Sequence, residues 1–292
     1  MAWVLSAFAD EAGSSADVQI AALRQAQLHY IDIRSIDGHN ISDLPLDAAR
    51  AVRAKLDAAG ITVNMFGSPL GKIDLADEMK IDLDKLRHMA QLKDILGCNA
   101  VRIFSYYNRK AGLPAEQFQR RALERLGELR KLAADTGMVL YHENEAAIFG
   151  DKVRDVLTIT QHLRDGKTFR MIFDFGNYNH GHEDVWANWL LLRDTTDAFH
   201  LKDSVWQEGK MHHVPVGRGA GWVPEILRDA VGRHWAGPLS VEPHLQHSQA
   251  VVATGASGVP NQAYAQMTQA ETFQVACRAA REHCLAAGAT LA

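Results

Sequence analysis

Short apolar runs rich in β-branched residues alternate with longer segments of helical period from one end of the chain to the other, and this repetition limits the fold more than any single motif. Eight such runs, at 4–9, 30–35, 61–67, 100–106, 139–143, 170–175, 198–202 and 239–243, read as strands. Helix punctuation fills the gaps. Pro45 opens a segment with Ala49, Val52 and Leu56 on one side, and Gly60 closes it. Between Pro114 and Gly137, Phe118, Ala122, Leu126, Leu129 and Ala133 form a stripe opposite Arg120, Glu124, Glu128 and Lys131. Further helices are expected from Asp82, and over 153–163, 185–193, 222–231 and 271–287.

No Ser/Gly linker divides the 292 residues, so one closed sheet is simpler than two domains. The expectation is a (β/α)8 TIM barrel, α/β in class and a single domain over 1–292, with a loop or lid at about 246–268. A doubly wound open sheet is disfavoured, because no G-x-G-x-x-G follows the first strand and no P-loop is present. Gly217, Gly219 and Gly221 in VGRGAGW come late and read as a loop.

With 31 Lys and Arg against 35 Asp and Glu, the net charge of −4 argues against nucleic acid and for a small-molecule partner. Cys98, Cys277 and Cys284 include no C-x-x-C pair, which suggests buried thiols in a reducing cytoplasm. No apolar run approaches the ~18–20 residues that span a bilayer. A cytoplasmic protein without a membrane partner is expected, and homo-oligomerisation stays open.

Barrel enzymes carry their chemistry where strands end. Four ends stand out here: YHENE, IFDFGN, FHLKD and SVEPHL. Glu143, Asp174, His200 and Glu242 finish apolar strands and face the barrel mouth by strand parity. Three converging carboxylates repel one another unless a divalent cation joins them. Three oxygen donors with one imidazole suit Mn2+ first, with Mg2+ and Co2+ close behind and Zn2+ still admissible.

As an ordered set, AFADE, FGSPLGKID, VRIFSYY, HENEAAIFGD, FDFGN, HLKD, PVGRG and VEPHL make the chain resemble the sugar phosphate isomerase/epimerase group of xylose isomerase-like TIM barrels. By similarity, Glu143, Asp174, His200 and Glu242 match that family's metal-binding set. The resemblance implies a ketose epimerase, an aldose–ketose isomerase or a related keto-sugar enzyme. Two departures stand out. Glu145 replaces the histidine of the E-N-H found in many relatives, and Gly176 and Asn177 stand where ketose 3-epimerases often carry a histidine.

The chemistry expected is proton transfer through an enediolate, with Glu143 and Glu242 as base and acid. Lys202 should share the inward face of His200 and either stabilise an oxyanion or pair with an acid. Arg34, Glu145, Asn177 and Arg218 are the polar substrate-binding candidates, and Phe66 and Trp206 the aromatic wall. Asp32 shares the inward parity of Arg34, whereas Arg102 reads as a cross-link of the barrel floor. His142 should pack behind its strand, and the pairs His180/His182 and His212/His213 read as solvated loop residues. Competing functions are a metal-dependent inosose or dehydroshikimate dehydratase, a non-catalytic sugar-binding barrel and, remotely, an abasic-DNA endonuclease.

Overall fold

The computed structural model describes residues 2–246, 251–252, 258–259 and 261–292. Eight strands form its centre: β1 (Val4–Ala7), β2 (Tyr30–Ile33), β3 (Thr62–Phe66), β4 (Ala100–Ile103), β5 (Val139–Glu143), β6 (Phe169–Asp174), β7 (Ala198–Leu201) and β8 (Pro238–Val241). Each pairs in parallel with its neighbours in chain order, and β8 returns to β1 to close the barrel. This is the expected (β/α)8 barrel in a single domain.

Among the described residues, nine α-helices surround the strands: α1 (Ala16–Gln25), α2 (Leu46–Ala59), α3 (Lys80–Leu96), α4 (Ala115–Thr136), α5 (Val153–Leu163), α6 (Phe175–His180), α7 (Val185–Leu192), α8 (Val223–Gly232) and α9 (Gln269–Ala286). The helix α4 shows the logic. It buries Ala122, Leu126, Leu129 and Ala133, while Arg120, Glu124, Glu128 and Lys131 stay exposed. Gly60 and Gly137 end α2 and α4 in the left-handed conformation expected of them. Among the described residues no helix is long and apolar enough to cross a membrane. Cys98, Cys277 and Cys284 are free and buried, and burial pushes the Cys98 and Cys284 thiols up to about 12.

The ladder between β2 and β3 slips at Ile31/Asp32, which leaves Asn64 as the extra residue of a bulge. Met65 therefore pairs with Asp32 and Phe66 with Ile33. Met65 joins Tyr141, Ile172 and Ala198 in an apolar plug inside the barrel. Phe66, fully buried, packs instead in the main core between strands and helices. Its expected place in a substrate wall is thus corrected, because the bulge reverses the side-chain alternation one residue before it.

Beyond β7 the chain forms a hairpin of Asp203–Gln207 and Lys210–Val214. The expected lid at 246–268 lies partly outside the described residues. Of the described part, the Val259 N–H donates to Met211 O at 2.9 Å and Asn261 Nδ2 to His213 O at 2.9 Å, which ties the segment to that hairpin.

Candidate active site and metal centre

Strand ends and the turns after them set the candidate ligands. Asp174 closes β6 and also caps α6, its Oδ1 accepting the Asn177 N–H at 2.7 Å, so its Oδ2 is left for the barrel mouth. Asn144 extends the pairing of β5 and β6 past Glu143 by exchanging two hydrogen bonds with the Asp174 backbone, at 2.9 and 3.1 Å. His200 sits beside Asp174 in register, and the Glu242 N–H donates to Leu201 O. One ligand atom from each of Glu143, Asp174, His200 and Glu242 lies within 4.8 Å of all the others, and all four residues are buried. His200 Nδ1 is 3.1 Å from Glu143 Oε1, 3.8 Å from Glu242 Oε2 and 4.0 Å from Asp174 Oδ2.

Three buried cations hold this cluster together. Lys202 Nζ donates to Glu242 Oε2 at 3.0 Å and lies 3.1 Å from Asp174 Oδ2. Arg34 grips Asp10 with two bonds of 2.8 and 2.9 Å, and reaches Glu11 at 3.2 Å and Glu242 at 3.3 Å. Arg102 Nη1 lies 3.4 Å from Glu143 Oε2 and 3.7 Å from Glu242 Oε1. Arg102 therefore belongs to the mouth and not to the floor. The floor expectation fails because β4 stops at Ile103, three residues earlier than the sequence pattern suggests, so Arg102 is its penultimate residue. The layer below is made by Asp32, which accepts from Asn64 and Ser240.

Phe8 and Phe104, not Phe66, are the aromatic rings here. Phe8 meets His200 edge-on at 5.4 Å and lies under the Arg34 and Arg102 guanidinium groups. Phe104 carries Arg102 at 4.9 Å and Lys72 Nζ at 4.3 Å. Lys72 in turn donates to Glu145 Oε2 at 2.8 Å. Asn177 Nδ2 donates to Glu143 Oε1 at 3.3 Å and to Asn144 O at 2.9 Å, so it braces a candidate ligand. Trp206 stacks on His182 at 4.2 Å and donates its indole N–H to Asn179 O, at the rim.

Arg218 is exposed on the glycine loop, where the backbone N–H groups of Gly217, Gly219 and Gly221 all donate to the Asp203 carboxylate at 2.9 Å. That carboxylate fills the anion-holding concavity of the loop from within. A Cβ on Gly219 would come within 2.1 Å of Asp203 Oδ1, so no larger residue fits there. His142 points away from the mouth to Ser105 Oγ, and burial lowers it to about 3. His213, on the hairpin, meets His244 edge-on at 5.2 Å. His244 also takes a backbone and a side-chain bond to Glu11, at 2.7 and 2.9 Å, with its Nε2 3.7 Å from Glu242. Asp10, Glu11, Phe8 and His244 escaped the residue-level reading. Their one signal was the motif pair AFADE and VEPHL, in which Asp10 shares the parity of Phe8.

The donor set fits a divalent cation. Glu143 Oε2, Asp174 Oδ2 and both His200 nitrogens are buried without a well-formed hydrogen bond; the first two and His200 Nδ1 have the ion-pair contacts given above, and an unsatisfied buried polar atom such as His200 Nε2 costs roughly 1–3 kcal/mol. Six carboxyl groups (Asp10, Glu11, Glu143, Glu145, Asp174 and Glu242) gather at the mouth with four permanent cations (Arg34, Lys72, Arg102 and Lys202). Burial works against Glu143, but His200 and Arg102 outweigh it and hold the carboxyl down at about 2. Burial, opposed by Lys202 and reinforced by Glu143 and Glu242, pushes Asp174 up to about 8. Glu242 stays well below the usual carboxylate range because Lys202, His244 and His200 overcome its burial.

The sequence pattern of the xylose isomerase-like TIM barrel matches residues 20–263. The chain belongs to that family. Among curated proteins, none matches it. Similar solved structures include D-psicose 3-epimerase from Clostridium cellulolyticum H10, at 13% identity over 97% of this chain and 99% of that one, with a TM-score of 0.72. The IOLI protein, solved with a bound zinc atom, is 14% identical over 97% of this chain and 98% of its own, with a TM-score of 0.72. The probable 3-DHS dehydratase AsbF from Bacillus anthracis is 15% identical over 96% and 99%, with a TM-score of 0.70. At these identities the likeness establishes the fold alone; within this family, the chain has as structural neighbours epimerases and a dehydratase.

Proposed function

We propose that this family member is a divalent-metal-dependent isomerase or epimerase of a keto-sugar or sugar derivative, working through an enediolate. The observation that carries the reading is the convergence of Glu143, Asp174, His200 and Glu242, with hydrogen-bonding capacity unused at the centre. These four would hold the cation, which supplies polarisation of a substrate carbonyl and acidifies the adjacent C–H. Three carboxylates with one imidazole favour Mn2+, and three buried free thiols suit a reducing cytoplasm.

The Glu143 and Glu242 carboxyls are both held below the usual carboxylate range by the cations around them, and both approach His200 Nδ1, at 3.1 and 3.8 Å. Either can therefore accept a proton from carbon, and the protonated carboxyl can return it to the neighbouring carbon from the same face. Inversion at one carbon requires the other carboxyl to have taken up a proton from solvent before it donates on the opposite face. The Lys202 ammonium, held charged by Asp174 and Glu242 against the effect of burial, stabilises negative charge on a substrate oxygen. Arg34 acts on Glu242 by fixing its orientation, since its donors are engaged by Asp10, Glu11 and Glu242. Phe8 keeps water from the underside of the cluster. Asn177 steadies Glu143, while Trp206 and Arg218 stand at the rim.

The test is deuterium incorporation from D2O into ketoses by the Mn2+-loaded protein. Glu242→Gln should slow exchange by about 10²-fold or more with the circular dichroism spectrum intact. Exchange by that variant at the parent rate would remove Glu242 from the chemistry. A second reading, dehydration, draws on Lys202 as a donor to a departing hydroxyl; loss of water from the product, in place of simple exchange, would identify it.

A further inference from the structure

Helix α6 covers one side of the mouth. A Cβ on Gly176 would come within 2.8 Å of Lys202 Cγ, so the helix backbone lies directly against that lysine. Asn177 turns its amide to Glu143 Oε1 at 3.3 Å. His180 follows these two by four and three residues, which sets it on the same face of the helix, one turn or about 5 Å further along toward Trp206 at the rim. Expected as a solvated loop residue, it is instead half-buried as the last residue of α6, because the helix starts directly after Asp174 and runs to position 180.

The ring is fixed in place without being satisfied there. It lies parallel to the Trp206 indole, with the planes 9° apart and the centroids 6.3 Å apart, and that indole is pinned by its own N–H donating to Asn179 O at 3.1 Å. His180 Nδ1 is buried and makes no hydrogen bond among the described residues, and leaving such an atom without a partner costs roughly 1–3 kcal/mol. Burial keeps the imidazole below the ordinary histidine range, and Glu145 and Lys202 of the mouth are among the charges close enough to act on it. A neutral imidazole donates at one nitrogen and accepts at the other, and a sugar hydroxyl does both, so either tautomer finds its complement in a hydroxyl. Trp206, exposed over 37% of its surface, offers apolar area beside the ring for the C–H face of a carbon chain.

Resting on the reading given under Proposed function, we propose that His180 is a substrate-binding residue which, with the Trp206 ring, holds the hydroxyl-bearing far end of a ketose whose carbonyl end lies at Glu143 and Glu242. The site then takes a ketohexose in preference to a three-carbon ketone, because only the longer chain spans the turn of α6 that separates Asn177 from His180.

Chain length is the probe. D-fructose, D-tagatose, D-psicose and L-sorbose, with dihydroxyacetone as the short ketone, are each titrated calorimetrically into the Mn2+-loaded full chain. At least one of the four ketohexoses should bind the parent about tenfold or more tightly than dihydroxyacetone. His180→Ala should weaken that ketohexose by about fivefold or more and leave dihydroxyacetone within about twofold, whereas His180→Asn, which keeps an amide atom near the position of Nδ1, should recover most of the loss. Trp206→Ala should weaken the ketohexose in the same selective way. The proposal is overturned if no ketohexose outbinds dihydroxyacetone, if His180→Ala leaves the ratio unchanged, or if it weakens both ligands equally, which is the mark of a disturbed fold. An Asn variant as weak as the Ala variant assigns the effect to ring packing and likewise overturns it. Length selectivity that depends on His180 without deuterium exchange into any ketohexose would sink the isomerase reading while leaving this inference standing; exchange with a ratio indifferent to His180 would do the reverse.

Discussion

Asp82 is fully buried on α3, with Oδ2 accepting the Gly71 N–H at 2.9 Å and Oδ1 making no hydrogen bond. Through Gly71 it anchors the loop that delivers Lys72. Burial pushes its carboxyl up to about 6. Because the folded state holds this proton more tightly than the unfolded chain, the Asp82 contribution to stability is full below about pH 4 and is lost as pH rises through about 6. Asp82→Asn should therefore gain on the parent by about 2 kcal/mol between pH 4.5 and 8, read from urea unfolding at the two pH values. A difference between the two proteins that does not change with pH would contradict this account. The same scale shows what sequence can disclose. Glu143, Asp174, His200 and Glu242 are legible because each ends an apolar strand, where a polar residue has no packing reason to be. Arg102 is not, because its depth depends on where β4 stops, and the apolar run continues beyond the last ladder pair through Phe104.

The elements repeat that lesson at larger size. Helix α4 follows from its apolar stripe and flanking Pro114 and Gly137, since amphipathic period and termini are both local properties. The bulge in β3 is not local: it is a relation between two strands, and nothing in TVNMF marks Asn64 as the extra residue. Its effect falls on Phe66, which leaves the mouth for the core. Phe66→Ala should then cost about 3–5 kcal/mol of stability in chemical denaturation while leaving Mn2+ affinity unchanged. A clear loss of metal binding by a variant of parental stability would return Phe66 to the site.

On the scale of the whole barrel, the candidate ligands come from β5, β6, β7 and the turn after β8, so an ion bound there links half of the sheet. A ligand that binds only the folded state stabilises it by about 2.7 kcal/mol at a hundred times its dissociation constant. Mn2+ should thus raise the thermal midpoint by several degrees, and a chelator should reverse the gain. His200→Ala should show no such response; a full rise in that variant would place the ion elsewhere. The order of the strands was readable because βα units close in sequence, whereas the lattice of arginines and acids around the mouth required the fold to exist first. The Asp203 carboxylate seated among the glycine N–H groups has an effect of its own. The loop after the hairpin is moulded during folding by an internal anion, so ordering it requires nothing from an arriving sugar, and the entropy of that step is settled once for the lifetime of the molecule instead of at every turnover.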